Sequence, residues 1–362
     1  LTQVDWPGGF RPGRRIKWWL TTMAPDLRRR AGMPPPHTPE QARKAWDEGI
    51  EGEGHWIGFL PWKRFTDHLP PGLARYARDW LADPGRRAWK FDQVHAQVEV
   101  PNLDISGWYD HCNGSIQHLA LMQANGRSAQ AREGTRLIIG PWNHPGLGQR
   151  QTGDIDFGPQ AEVDLSDQII RFFDHWLKGL DNGAESIDAV RYFCMGTNQW
   201  RSASTWPPPS RPLELYFDTG ADRPALSPTP AAKSGDETYQ YDPHNPVPTL
   251  WGKAWFTGPA DRRQVEHRQD IVIYRSHILE QDIEVAGEPY VVLYASSSAP
   301  DTDFFARLVD EHSDGEQALE ICYGMVRARH RHGLERDELL KPFEVTEFRL
   351  QLGPTACRFA AG

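Results

Sequence analysis

A strand–helix–strand pattern between residues 98 and 139 constrains the fold of this chain more than any other feature. Residues 135–139 end in Leu137-Ile138-Ile139, an apolar run without alternation that is typical of a strand buried in a parallel sheet. Residues 98–105 predict an earlier strand, residues 107–114 a turn, and residues 115–124 a helix. Two strands separated by a helix indicate a βαβ unit, so the sequence predicts the α/β class.

The chain divides into three regions that differ in composition and in hydrophobic pattern, and the βαβ unit lies in the second. With 362 residues, the chain has room for two or three domains. Eight of its 15 tryptophans lie within residues 1–93, among Pro-rich stretches and helical patterns such as the one that begins at Thr38 and Pro39 and another over 73–81. We predict a helical cap over residues 1–93 and an α/β core over 94–205. The core includes a further helix that begins near Ser166 and stops at Gly179, and its predicted apolar face consists of Ile169, Phe172, Phe173, Trp176 and Leu177.

Beyond a Pro-rich linker the helical patterns fade. Short apolar segments separated by turn residues predict a β-sandwich or jelly roll over residues 211–362. The predicted strands cover residues 213–217, 270–274, 290–295, 304–309, 319–327 and 343–352.

Composition excludes several classes of function. The net charge is −9 and no Lys/Arg stripe occurs, so we expect no nucleic-acid partner. No run approaches the ~20 apolar residues that span a bilayer, so we expect no membrane partner. The four scattered cysteines form no disulfide framework, which predicts a reducing, cytoplasmic setting. No complete set of metal ligands stands out, so we expect neither a catalytic metal nor a cofactor.

Two ionisable residues follow the predicted strands. Asp110 lies five residues after Ile105, and His144 lies five residues after Ile139. Functional groups of open α/β sheets lie on such loops, and Asp followed by His completes the order Ser…Asp…His of α/β hydrolases. There the His takes the proton of the nucleophile and the Asp fixes its tautomer. The alternative is that Asp110 only caps a helix and His144 is a polar surface group.

The surrounding motifs resemble those of the cocaine-esterase and X-prolyl dipeptidyl-peptidase family. They are Gly107-Trp108-Tyr109-Asp110, Gly140-Pro141-Trp142-Asn143-His144, Arg171-Phe172-Phe173-Asp174-His175-Trp176-Leu177-Lys178-Gly179, Met195-Gly196-Thr197-Asn198-Gln199-Trp200, Pro246-Val247-Pro248-Thr249 and Asp301-Thr302-Asp303-Phe304.

This resemblance implies an α/β-hydrolase core with an inserted helical cap, followed by a jelly roll. It also implies a serine hydrolase that cleaves a small ester, amide or short X-Pro peptide through an acyl-enzyme. Asp110 and His144 would belong to its triad. His111 and Cys112, directly after the acid, would face the acyl pocket, and Trp18 and Trp19 of the cap would line the same pocket or fill the cap's own core.

One element of the family is missing from the sequence. Its members carry a nucleophilic serine in a G-x-S-x-G elbow, and no such pattern occurs in the 362 residues. We therefore expect the serine to lie upstream of Leu1, the chain to be truncated at both ends, and the polypeptide as written to be inactive. Ser115 and Cys112 are alternative nucleophiles, and a naturally inactive relative is a third possibility. The rival class is a non-catalytic protein whose jelly roll binds carbohydrate or a partner protein; a homo-oligomer is left open.

Overall fold

A computed structural model describes residues 13–47, 60–83, 94–111, 114–220, 223–231, 235–250 and 258–362. The α-helices are α1 (Arg14–Trp18), α2 (Ala24–Arg30), α3 (Pro39–Asp47), α4 (Pro71–Ala82), α5 (Gly114–Asn125), α6 (Ala129–Gly134) and α7 (Leu165–Lys178). One π-helical turn, Trp19–Met23, joins α1 to α2. The 3₁₀ segments are Trp62–His68, His95–Gln97, His144–Gly146, Pro159–Ala161, Ala184–Ser186, Arg262–Val265 and Ala328–His330.

The strands fall into a central sheet and a β-rich C-terminal part. In chain order they are β1 (Leu103–Tyr109), β2 (Arg136–Asn143), β3 (Gln151–Thr152), β4 (Ile155–Asp156), β5 (Val190–Cys194), β6 (Gln199–Ala203), β7 (Tyr216–Asp218), β8 (Ala225–Ser227), β9 (Ile283–Gly287), β10 (Tyr290–Ala295), β11 (Asp303–Glu311), β12 (Ala318–Arg327), β13 (Thr346–Gln351) and β14 (Thr355–Phe359).

The helices before residue 84 pack around large aromatic side chains. Trp19 is fully buried, and its ring centroid lies 5.0 Å from that of Trp80 and 6.1 Å from that of Phe65. The helix predicted over 73–81 is confirmed as α4. At the start of α3, the Thr38 hydroxyl accepts a hydrogen bond from the Gln41 amide at 3.2 Å, which confirms the predicted N-cap.

The central sheet has the strand order β1–β2–β5–β6, with the first three strands parallel and β6 antiparallel to β5. The predicted βαβ unit is confirmed. The first strand, however, is Leu103–Tyr109 rather than 98–105, and the turn predicted from residue 107 is wrong for its first three positions. Gly107 does not turn the chain but allows close packing, because a Cβ atom there would lie 2.1 Å from the Trp142 carbonyl oxygen.

Helix α7 begins and ends as expected but does not bury the expected face. The Asp164 carboxylate caps the Ser166 amide at 2.9 Å, and Gly179 adopts the left-handed conformation at φ 69°. Of the predicted apolar face, Phe172 is buried, whereas Phe173 and Leu177 are 48% and 76% exposed among the described residues. No described helix is both long and apolar enough to cross a membrane.

Antiparallel pairs dominate the C-terminal part: β7 with β8, β9 with β14, β10 with β13, and β11 with β12. Three predicted strands, 290–295, 304–309 and 319–327, are confirmed, and the strand predicted from residue 343 begins at Thr346. Residues 270–274 form no strand, which corrects that prediction. β14 was not predicted at all.

Strand β14 also joins this part to the central sheet. The Met195 amide donates to the Ala356 carbonyl at 2.9 Å, and the Arg358 amide donates to the Met195 carbonyl at 2.8 Å. Ile321, Ala356 and Cys357 belong to the same buried cluster as residues of β1, β2 and β5. The two parts therefore meet in a shared hydrophobic cluster, and the β-rich part has a second cluster of its own around Phe304 and Phe348.

Replacing Gly107 by Ala should destabilise the fold by roughly 1–3 kcal/mol, because the new methyl group collides with backbone rather than with a movable side chain. Gly72→Ala is the matched control: its Cβ has no neighbour within 4 Å, and alanine favours the helix by up to ~1 kcal/mol. Urea unfolding followed by tryptophan fluorescence measures both. Equal free energies of unfolding for the two variants would contradict the close approach.

Candidate active site

Asp110 and His144 meet at the carboxyl end of the sheet. Asp110 directly follows β1, His144 directly follows β2, and the last residues of the two strands, Tyr109 and Asn143, are paired. The Nδ1 atom of His144 lies 3.1 Å from Oδ1 and 3.2 Å from Oδ2 of Asp110. The structure thus brings together the two residues that the sequence predicts as a catalytic pair.

A register shift near the ends of the strands produces this alignment. Gly107 pairs with Gly140, but the next pair is Tyr109 with Asn143, so β2 holds one residue more than β1. Trp142 occupies the bulge. Its carbonyl lies over Gly107, and a Cβ atom on Gly140 would lie 2.5 Å from its indole ring.

Trp142 is itself anchored. It is fully buried, and its indole nitrogen donates to the Ala161 carbonyl at 3.0 Å. Sequence reasoning assigned Trp142 no role, although the two glycines at 107 and 140, each preceding a tryptophan within two residues, were the available signal.

The surroundings of the pair fix the roles of the two ring nitrogens of His144. The Asp110 side chain is 4% exposed, whereas that of His144 is 49% exposed. An ionised carboxylate only accepts hydrogen bonds, so Nδ1 carries the proton of the neutral imidazole and Nε2 is its basic nitrogen. A buried acceptor and a solvent-reachable base suit general acid–base chemistry.

His111 forms the third side of the site. Its Nδ1 lies 3.6 Å from Oδ1 of Asp110, and its ring centroid lies 4.7 Å from that of His144. Burial, reinforced by the positive charge of Arg14, by His144 in its protonated form and by Arg15, lowers the pKa of His111 to about 3. The imidazole of His111 is therefore neutral at physiological pH.

Tyr109, which directly precedes Asp110, contacts the β-rich part through its hydroxyl group. Its hydroxyl lies 3.4 Å from the Met195 sulfur and 3.5 Å from the Glu320 carbonyl, and burial raises its pKa, so it remains a neutral phenol. The Glu320 carboxylate is buried, with its Oε2 3.3 Å from Nε of Arg307 and 3.6 Å from Nη1 of Arg262. A small cavity next to the acid is lined by Asp110, Tyr109, Glu320 and Tyr323.

The remaining predicted site residues are placed elsewhere or lie outside the described residues. Trp19 is fully buried in the core of the N-terminal helices, which favours the alternative that it fills the cap's own core. Trp18, on α1, is 49% exposed. Cys112 lies outside the described residues. Ser115 is buried at the start of α5.

The described cysteines are poor candidates for a nucleophile. They are Cys194, Cys322 and Cys357, and all three are buried. Burial raises the pKa of each thiol, which removes the thiolate that nucleophilic attack requires.

Asp110, His111 and His144 also form the group of potential metal ligands within the described part of the chain. One ligand atom from each lies within 4.8 Å of the others. The sequence did not suggest this group, because the three residues converge only through the pairing of β1 with β2.

The fold and the site define a mixed α/β protein with an Asp–His pair at the carboxyl ends of adjacent parallel strands, as in hydrolases. Residues 182–362, half of the chain, match the domain described as the X-Pro dipeptidyl-peptidase C-terminal non-catalytic domain. Cocaine esterase of Rhodococcus sp. (strain MB1 Bresler) is 34% identical over 280 residues, which cover 73% of this chain and 47% of the esterase.

Two solved structures share the fold. An aminopeptidase from a marine sediment Thaumarchaeota archaeon matches with a TM-score of 0.70 and 24% identity over 88% of this chain and 54% of its own. An α-amino acid ester hydrolase matches with a TM-score of 0.70 and 23% identity over 86% of this chain and 54% of its own. The chain spans about half the length of these relatives. It belongs to the cocaine-esterase and X-prolyl dipeptidyl-peptidase (CocE/NonD) family of hydrolases.

The depressed pKa of His111 makes stability depend on pH. Between pH 6.5 and about 3 the unfolded chain binds a proton at this position and the folded chain does not, so stability falls as the pH falls. The slope is at most ~1.4 kcal/mol per pH unit. Urea unfolding at pH 7 and pH 5 should show a larger loss for the wild type than for His111→Gln, which cannot titrate. Identical losses would contradict the buried, neutral state of His111.

Truncating Glu320 should be costly, because it leaves two guanidinium groups without their shared carboxylate in the interior. We expect Glu320→Ala to lower the free energy of unfolding by about 3 kcal/mol or more. Glu311→Ala removes a more exposed carboxylate that pairs with Arg275, and should cost less than ~1 kcal/mol. Chemical denaturation of both variants tests this, and a cost for Glu320→Ala no larger than that of the control would refute it.

Proposed function

We propose that this chain contributes the acid and the base of a serine hydrolase that cleaves small ester or amide bonds through an acyl-enzyme. The observation that carries the proposal is the contact between His144 Nδ1 and the buried Asp110 carboxylate at 3.1 and 3.2 Å. Membership of the CocE/NonD family supports the same reaction class.

In the proposed reaction, His144 acts first as base and then as acid. Its Nε2 takes the proton of a serine hydroxyl while the serine oxygen bonds to the carbonyl carbon of the substrate. The imidazolium then gives this proton to the leaving alcohol or amine as the carbon–oxygen or carbon–nitrogen bond breaks. Water repeats the sequence on the acyl-enzyme and releases the acid. Asp110 stays ionised throughout and stabilises the imidazolium.

We propose that the nucleophile is a serine outside these 362 residues. The sequence contains no G-x-S-x-G pattern, and the described cysteines are buried with raised thiol pKa values. In this proposal β1, β2, β5 and β6 are the C-terminal strands of an α/β-hydrolase core over residues 94–205. The N-terminal helices are its cap, and residues 211–362 form a jelly roll.

The substrate side of the proposed site combines a neutral histidine with positive charge. His111 lies beside His144, and Arg14 and Arg15 of α1 act on His111 electrostatically. We propose that His111 and Cys112 contact the acyl group, and that α1, which also carries Trp18, borders the pocket. The choice between ester, amide and X-Pro peptide is then set by the shape of this pocket and is a question for kinetics.

The test is hydrolysis of a p-nitrophenyl ester by the 362-residue chain and by the full product of its gene. We expect no turnover by the former, and turnover by the latter if it carries G-x-S-x-G. In the active form, His144→Ala should lower kcat by at least about 10³-fold with little change in KM. His332→Ala removes an exposed histidine of the β-rich part and serves as control.

Three outcomes would contradict the proposal. Unchanged kcat in His144→Ala would refute the role of His144. Turnover by the 362-residue chain that is abolished by Cys112→Ala would make the nucleophile a cysteine. A gene product without G-x-S-x-G and without turnover would favour the non-catalytic binding protein.

A further inference from the structure

We propose that Asp110, His111 and His144 form a binding site for Zn²⁺, in which the metal takes the place of the Nδ1 proton of His144. The three side chains are the same ones that meet at the ends of β1 and β2, and one ligand atom from each lies within 4.8 Å of the other two. A carboxylate and two imidazoles are among the ligands that Zn²⁺ prefers.

The distances within the group fit a tetrahedral ion. Zn²⁺ lies about 2.0–2.1 Å from His nitrogen and carboxylate oxygen, so neighbouring ligand atoms in a tetrahedron are about 3.4 Å apart. Oδ1 of Asp110 lies 3.1 Å from Nδ1 of His144 and 3.6 Å from Nδ1 of His111. Two edges of the tetrahedron are therefore present within about 0.3 Å. The third pair of ligand atoms, one from each histidine, lies within 4.8 Å.

The backbone holds these ligands in place before any metal arrives. Asp110 and His144 follow paired strands, and the Asp110 amide donates to the Gly107 carbonyl at 3.0 Å. Preorganised ligands lose little conformational entropy on binding. The half-exposed side chain of His144 leaves access from solvent for the ion and for a water as fourth ligand.

Binding requires only a proton shift within one ring. Neutral His144 carries its proton on Nδ1 because Asp110 accepts from it; when Nδ1 binds the metal, this proton moves to Nε2 and none need be released. The positive charges of Arg14 and Arg15 act on His111 and would repel a metal cation bound beside it. We therefore expect a reversible site and not a permanently occupied structural one.

The consequence for activity rests on the proposed function. A His144 whose Nδ1 binds Zn²⁺ carries its proton on Nε2 and cannot accept one from a serine. Zn²⁺ would then act as a reversible inhibitor of the proposed hydrolase, relieved by a chelator.

The chain offers a matched control cluster. Nδ1 of His118 lies 2.7 Å from Oδ2 of Asp104, and the ring of His95 lies 5.1 Å from that of His118. This is also an Asp–His pair beside a second histidine, but among the described residues its ligand atoms do not come within 4.8 Å of one another as a group of three. Loss of His118 should leave metal binding intact.

The experiment titrates the 362-residue chain with Co²⁺, whose visible absorption reports tetrahedral coordination, and then displaces it with Zn²⁺. We expect one Co²⁺ per chain, with an affinity at least tenfold weaker in His111→Ala and in His144→Ala and within twofold of the wild type in His118→Ala. Thermal melting checks that each variant is folded, and His111→Phe replaces His111→Ala if the smaller side chain does not support the fold.

Absence of tetrahedral Co²⁺ absorption at millimolar metal would overturn the proposal, as would equal affinities for the wild type and both site variants. This readout needs no catalytic turnover. If the chain binds Co²⁺ through these residues but its full gene product hydrolyses no ester, the proposed hydrolase function is wrong and the metal site stands. If the full gene product hydrolyses the ester but the chain does not bind Co²⁺, the metal site is wrong and the hydrolase function stands.

Discussion

The hydrogen bond from His144 to the buried carboxylate of Asp110 is the interaction on which the account of this site depends. It spans the ends of two parallel strands, so it forms only if both strands stop at the same level. The extra residue in β2 provides that match, and Gly107 and Gly140 make room for the tryptophan that occupies the bulge. The segment from Gly107, which the sequence predicts as a turn, is thus part of β1 and allows the close packing of Trp142 next to the acid–base pair.

The β-rich part also contributes to the position of this pair, through its contacts with the residue before Asp110. Tyr109, the residue before the acid, contacts Met195 and Glu320, and Met195 is itself bonded on both sides to β14. The domain that residues 182–362 match is described as non-catalytic, and it supplies neither Asp110 nor His144. It nevertheless packs against Tyr109, the residue that directly precedes the acid. Its packing therefore contributes to the position of a residue in another part of the chain.

The sequence predicted the elements that local patterns determine. The parallel βαβ unit, the capped start of α3, the stop of α7 at Gly179 and three strands of the C-terminal part follow from periodicity and capping chemistry. Asp110 and His144 were also identified, because both follow strands whose carboxyl ends meet in an open parallel sheet.

The remaining features depend on contacts between distant residues. The extent of β1 is set by its pairing with β2, and β14 is recognisable as a strand only through β9 and Met195. Trp19 and Trp18 look alike in sequence, yet one fills a core and the other is half exposed. The convergence of His111 on the pair and the buried Glu320 between two arginines likewise have no local signal.

The tautomer of His144 tests the central claim most directly. Nitrogen-15 NMR of the imidazole distinguishes a ring protonated at Nδ1 from one protonated at Nε2 when the histidine is neutral. The account predicts the Nδ1–H tautomer in the wild type, with a strongly downfield Nδ1 proton that is lost in Asp110→Ala. A neutral His144 protonated at Nε2, or a spectrum unaffected by Asp110→Ala, would contradict it.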